Sequence, residues 1–333
     1  MNKDIKKKSN KKIPIIIFII AVVGFVVYGK ITNHLSDQWF LDRITAANFQ
    51  ASDEISELVK KSGMNNNGKL LFYASEPEIN ENQEFNQNCK DVMDKFSTVM
   101  GCYNGRIYIF DVKDERIIGT KYVTAAHEML HAAYDRLGIF EKKHIDELIS
   151  NEISEITDQE ILDQLELYKN STPGHEINEM HSILATESRN LSPELEKYYE
   201  RYFSDRDMVL NEFEKYKKVF SELQNKADDI QNKMSALELE IETLKKDYET
   251  QSMSLSNEID DFNLKAGDGY YLDENSFYVR RNEIIAQQDS LLKQVDYINQ
   301  LINQYNNYVV DLQGLGRDAQ TLQNSLDSQN KVE

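Results

Sequence analysis

Residues 124–134 read TAAHEMLHAAY and place His127, Glu128 and His131 in the order H-E-x-x-H. On a helix, side chains four apart lie about one turn apart on the same face. His127 and His131 can therefore aim their imidazoles at one point, and neutral imidazole is a good zinc ligand. Glu128 projects at a neighbouring angle, within reach of a water held by such a metal. Zinc brings the pKa of a bound water to about 7, so a carboxylate there can take its proton. The chemistry to expect is zinc-assisted hydrolysis, with His127 and His131 as ligands and Glu128 as general base.

A catalytic zinc takes three protein ligands and leaves one position open. The later histidines and acids supply the candidates: His144, His175, Glu176, Glu179, His181 and Glu187. On a helical wheel of 175–191, Ile177, Met180, Leu184 and Leu191 form one apolar stripe. Glu187 sits on the edge of that stripe, Glu176 lies further round, and Glu179 points away. A carboxylate on a half-buried face is costly unless it is paired or metal-bound, which selects Glu187 as the third ligand. A salt bridge to Arg189 or Arg201 is the alternative for it. His181, on the other edge, could hydrogen-bond a developing oxyanion, or it could be a core histidine satisfied by a backbone carbonyl. His144 and His175 stand among charges and read as surface residues.

The elements that must hold these groups follow from periodicity. Val123, Ala126, Leu130, Tyr134 and Leu137 give the segment 121–137 one apolar helical face, with both histidines along its edge. Residues 31–62 read as helical. LLFYA (70–74) and RIYIFDV (106–112) read as strands, and ERIIGT (115–120) could pair with the second of them. Further helices are expected at 139–155, 158–169, 175–190 and 193–204. From about 206 glycine and proline almost vanish. Two heptad series run from Phe220 to Leu255 and from Phe277 to Leu312, separated by the turn-forming KAGDGYY (265–271). They predict an antiparallel coiled-coil hairpin.

Residues 13–29, IPIIIFIIAVVGFVVYG, carry no charge, and Ile31 can extend the run. This reads as a transmembrane anchor at the short end of the spanning range; the alternative is a cleaved signal peptide, against which the run exceeds a typical h-region and no A-x-A site follows it. Residues 1–30 hold seven lysines against Asp4, or +6, in a chain of −19 overall, so the rest carries −25. The lysine cluster before the run puts the N-terminus in the cytoplasm and everything after residue 30 outside. The acidic balance excludes nucleic acid as the main partner. Cys89 and Cys102, both on the outer side, are expected to pair as a disulfide.

With these residues in view, the chain resembles the zincin superfamily of metallopeptidases over roughly residues 65–205. A downstream glutamate as third ligand makes it most similar to the gluzincin group. His131 is followed by AAYDRL rather than the glycine and third histidine of metzincins, and the N-E-x-x-S-D style second helix of thermolysin-like enzymes is lacking. The resemblance implies His127, His131 and Glu187 on zinc and Glu128 as base. It also implies that the strand near 106–111 lies beside the cleft, where it could take an extended peptide by strand addition.

The expected fold class is α+β and mostly helical. A cytoplasmic tail (1–12) and an anchor (13–31) precede a small zincin-like head with a short β-sheet (32–205), and a helical hairpin follows (206–333). The expected function is hydrolysis of protein or peptide substrates outside the cytoplasmic membrane. The competing reading is a non-catalytic scaffold or adaptor, its hairpin engaging an envelope partner and its metal site structural or degenerate.

Overall fold

A computed structural model describes residues 37–93 and 99–328. The expected tail and anchor, 1–31, lie outside the described residues. Among the described residues, no helix is long and apolar enough to cross a membrane. The protein is mostly helical with one small sheet, and it divides into two compact units. One runs to Val219 and takes in Leu322 onward; the other is Phe220–Thr321.

The first unit opens with α1 (Asp37–Asn48), α2 (Asp53–Lys61) and α3 (Asn66–Ala74). The chain breaks between α1 and α2 because Ser52 caps α2, its hydroxyl accepting from the Ile55 amide at 3.2 Å. Residues 70–74, expected as a strand, belong to α3. The Asn65 side chain accepts from the amides of Asn67 and Gly68, and this cap starts a helix that buries Leu71 and Phe72.

Next come β1 (Glu78–Asn80), α4 (Asn82–Asn88), α5 (Lys90–Met93), β2 (Gly101–Tyr103) and β3 (Ile107–Phe110). The sheet order is β1-β3-β2. β1 runs parallel to β3 with Ile79 opposite Ile109, and β2 runs antiparallel to it with Cys102 opposite Tyr108. All four residues of β3 are buried, as a central strand requires. Cys89 and Cys102 form a disulfide that ties β2 to the end of α4.

The expected strand at 115–120 is instead a turn running into α6 (Gly119–Asp135). The Asp114 side chain accepts from the Arg116 amide, and the Thr120 hydroxyl donates to the Ile117 carbonyl at 2.8 Å. These local bonds draw the backbone into a helix start rather than a ladder. Four helices follow: α7 (Ile139–Glu155), α8 (Gln159–Ser171), α9 (Glu176–Glu187) and α10 (Pro193–Tyr199). The core of this unit includes Phe72, Ile107, Ile109, Met129, Leu130, Ile149, Met180, Leu184 and Tyr199.

Two long helices complete the chain, α11 (Asp207–Gly267) and α12 (Glu274–Leu326). Within the second unit they pair antiparallel. Arg280 meets Glu258, Gln294 reaches the Leu244 carbonyl and Tyr297 reaches Glu240, so one strand of partners ascends as the other descends. Leu237, Ile241, Ile298 and Leu301 form a buried seam there.

Candidate metal centre

The helix α6 carries the chemistry, and small residues let its neighbours approach. Ala125, Ala126, Ala132 and Ala133 are buried, so β2, β3, α3 and α9 pack closely around it. At its C-terminus the Arg136 guanidinium donates to the Ala132 carbonyl at 2.9 Å, satisfying a last-turn acceptor. At its start Lys121 bonds Asp111, just past β3, at 2.9 Å. Burial raises the Asp111 carboxyl pKa, but the bonds from Lys113 and Lys121 outweigh it and hold it below the usual value.

His127 and His131 converge as their spacing predicts. Their Nε2 atoms lie 3.0 Å apart. The third group is Glu179 on α9, whose Oε2 is 3.6 Å from His127 Nε2 and 3.5 Å from His131 Nε2. These three residues form a donor group able to hold a metal ion. Ligands about 2.0–2.1 Å from one tetrahedral ion stand roughly 3.4 Å apart, so the three separations bracket the edge of such a site. Asn178 supports the arrangement. Its Oδ1 lies 3.2 Å from His131 Nδ1. Accepting a proton there fixes the tautomer that leaves Nε2 with a lone pair.

The electrostatics favour a cation between the rings. Burial alone would raise the Glu179 carboxyl pKa, yet the bonds from His127 and His131 hold it well below the ordinary carboxylate range. Burial would lower the His131 pKa, but the Glu179 carboxylate pulls it up to about 9. The same field that retains a proton would retain a metal ion in its place.

Glu128 is buried beside the cluster, and desolvation raises its pKa against the opposing pull of His131 and His127. Gly101 in β2 makes room for it. A Cβ built on Gly101 would lie 2.7 Å from Glu128 Oε1 and 2.4 Å from Thr124 Cγ2. Tyr168 of α8 hydrogen-bonds Glu179, and its phenol pKa is pushed up first by burial and then by the charges of Glu179, Glu187 and Glu128.

Glu187, expected as the third ligand, is not in the cluster. It ends α9, eight residues or roughly 12 Å beyond Glu179 along the axis. Its Oε2 accepts from Gln164 at 2.9 Å, and burial raises its pKa. The wheel selects a different carboxylate from the one that meets the histidines because α9 has no single buried stripe: every residue from Met180 to Thr186 is buried. The face that meets His131 carries Asn178 and Glu179, on the side opposite the apolar stripe. The signal was nonetheless present. Residues 178–183 read N-E-M-H-S-I, so the second-helix pattern fails only at its final aspartate, where Ile183 stands.

His181 has no exposed edge to offer an oxyanion. It is fully buried among the rings of Tyr134, Tyr198 and Tyr199, with Nε2 2.8 Å from the Tyr198 hydroxyl. Desolvation holds its pKa well below the usual histidine value, so it is neutral. It is a core histidine whose Nε2 meets a phenol rather than a carbonyl, while its buried Nδ1 has no hydrogen-bond partner among the described residues. His144 and His175 are exposed, as expected.

The strand-addition expectation also moves. β3 (107–110) is paired on both sides and has no edge to give. β1 and β2 are the edge strands of the described sheet, and of the two it is β2 that lies beside Glu128. No family model, no curated protein and no solved structure matches the chain.

Proposed function

We propose that the chain is a zinc-dependent peptidase of zincin type, hydrolysing peptide bonds outside the cytoplasmic membrane to which residues 13–31 anchor it. One observation carries this reading: the donor atoms of His127, His131 and Glu179 stand 3.0 to 3.6 Å apart with a buried carboxylate beside them. When bound, zinc would supply Lewis acidity and a water of lowered pKa. The two imidazoles and the Glu179 carboxylate would hold it, and Asn178 would keep His131 in the binding tautomer.

Glu128 is assigned as the proton acceptor. Its helix position directs it beside the ligands, and the missing side chain at Gly101 gives it space. Among the described residues β2 pairs with β3 on one side only, an edge position where an extended peptide can add beside Glu128, which makes polypeptide the favoured substrate. The phenol of Tyr168, next to Glu179, orients that carboxylate and is a neutral donor close to the reacting groups.

Three donors meet at this point among the described residues. A structural zinc site closes with four. That count favours the hydrolytic reading over the scaffold reading, in which the metal would be structural. The disulfide supports the extracytoplasmic placement, since such bonds persist in oxidising compartments.

The test is cleavage of unfolded polypeptide by the full chain in detergent, beside the Glu128→Gln variant. Glu128→Gln is expected to keep its zinc and lose cleavage by at least about 100-fold, the scale of general-base catalysis. Full activity in that variant would remove Glu128 from the mechanism.

A further inference from the structure

The helix α1 is turned inside out. Its one buried residue is the carboxylate Asp42, while Phe40, Leu41 and Ile44 are 51, 54 and 58% exposed. Asp42 is held by Arg136, whose Nε and Nη2 donate to its two oxygens at 2.8 and 2.9 Å. Three and four residues beyond Arg136 stand Ile139 and Phe140, 83 and 75% exposed. Thus five large exposed apolar side chains belong to two segments joined by a single ion pair. In the same unit the other described one is Leu167. A soluble surface does not gather such residues without a partner.

We propose that α1 and the Ile139–Phe140 segment form one face that contacts the surface of a phospholipid bilayer. The proposal rests on the anchor reading and goes beyond it. The uncharged run 13–29 and Ile31 end just before α1 begins at Asp37. The six residues 31–36 reach at most about 20 Å when fully extended. The apolar face is therefore confined close to any bilayer that the run enters, at a high effective concentration. The side chains suit an interface: Phe40, Leu41 and Ile44 for the acyl boundary, Trp39 stacked under Arg43 at 3.6 Å for the headgroup level. Arg43 and Lys143 are exposed on the two segments beside the exposed acids Asp37 and Asp135, and Asp42, which would otherwise stand amid the apolar helix, is turned inward to Arg136.

The consequence concerns orientation. Arg136 caps α6, the helix that carries His127 and His131, and it also bonds the Tyr103 hydroxyl of β2 at 3.0 Å. The bilayer-contact face is thus joined through one guanidinium to both the metal helix and the edge strand. The cleft would sit at a fixed attitude to the membrane, suited to substrate segments near the lipid surface.

The experiment uses the full chain reconstituted in phospholipid vesicles. The native cysteines are in the disulfide, so Leu41→Cys or Phe140→Cys provides a single thiol for an environment-sensitive fluorophore. Lys60→Cys, on an exposed position of α2, is the control. All three sites are at the surface, so folding is preserved. At 41 and 140 the emission should shift to the blue and be lost to a nitroxide carried on the lipid acyl chains; at 60 it should do neither. Blue-shifted emission that lipid-borne nitroxide leaves untouched would mean a second copy or a protein partner, and would overturn the proposal. So would water-like emission at 41 and 140 in vesicles that retain the chain through alkaline carbonate washing, with the anchor left standing. Release of the chain by carbonate would instead overturn the anchor, and this face with it.

Discussion

At the residue scale, the site is decided by which carboxylate faces the histidines. His127 and His131 were legible because one helix and one spacing fix them both. The third ligand depends on how α9 docks, and a wheel cannot find the docking face of a helix buried all round. The wheel passes over Asn178 as well, although Asn178 and Glu179 open the N-E-x-x-S run of 178–182, since its role exists only where His131 meets it. That role has a measurable consequence. Asn178→Ala should weaken zinc binding by about 10- to 100-fold while leaving the fold intact, read by competition with a chromogenic chelator. Asn178→Asp, which keeps an acceptor toward Nδ1, should lose far less. Equal losses in the two would mean that Asn178 acts through packing rather than by orienting the imidazole.

At the element scale, the position of β2 beside α6 sets how Glu128 is held. Gly101 is the contact point, because any Cβ there meets Thr124 and the buried Glu128 carboxylate. Gly101→Ala should therefore cost about 1–3 kcal/mol of stability by overpacking, measured by denaturant unfolding. An unchanged midpoint would show that β2 can move off α6 freely. Long helices were legible: α7 occupies the expected 139–155, and the heptads give the paired α11 and α12. Short strands were not. β1 and β2 have three residues each, too few for an alternation to register, and both exist because β3 lies between them. The expected strands at 70–74 and 115–120 gave way to local side-chain bonds from Asn65 and Asp114 that start helices.

At the scale of the whole molecule, charge, covalent linkage and the hairpin all bear on where the protein works. The acidic chain, its basic N-terminal cluster and the Cys89–Cys102 bond are what the proposed placement, a head held outside a membrane, would call for. The pairing was legible from an even cysteine count and the predicted compartment. The bond spans a separation of 13 residues and fixes the edge strand to α4. A loop of that size contributes about 3 kcal/mol in the chain-entropy account, so a reductant should lower the unfolding midpoint by that equivalent. Unfolding indifferent to reductant would show that the bond adds nothing to the fold.

The central claim is the identity of the metal centre, and metal content tests it most directly. The full chain would be incubated with zinc, washed and analysed by elemental mass spectrometry beside Glu179→Ala and Glu187→Ala. The predicted result is about one zinc per chain in the parent and in Glu187→Ala, and a marked loss in Glu179→Ala, as removal of a ligand requires. A parent that holds no zinc would contradict the account. So would zinc lost from Glu187→Ala but kept by Glu179→Ala.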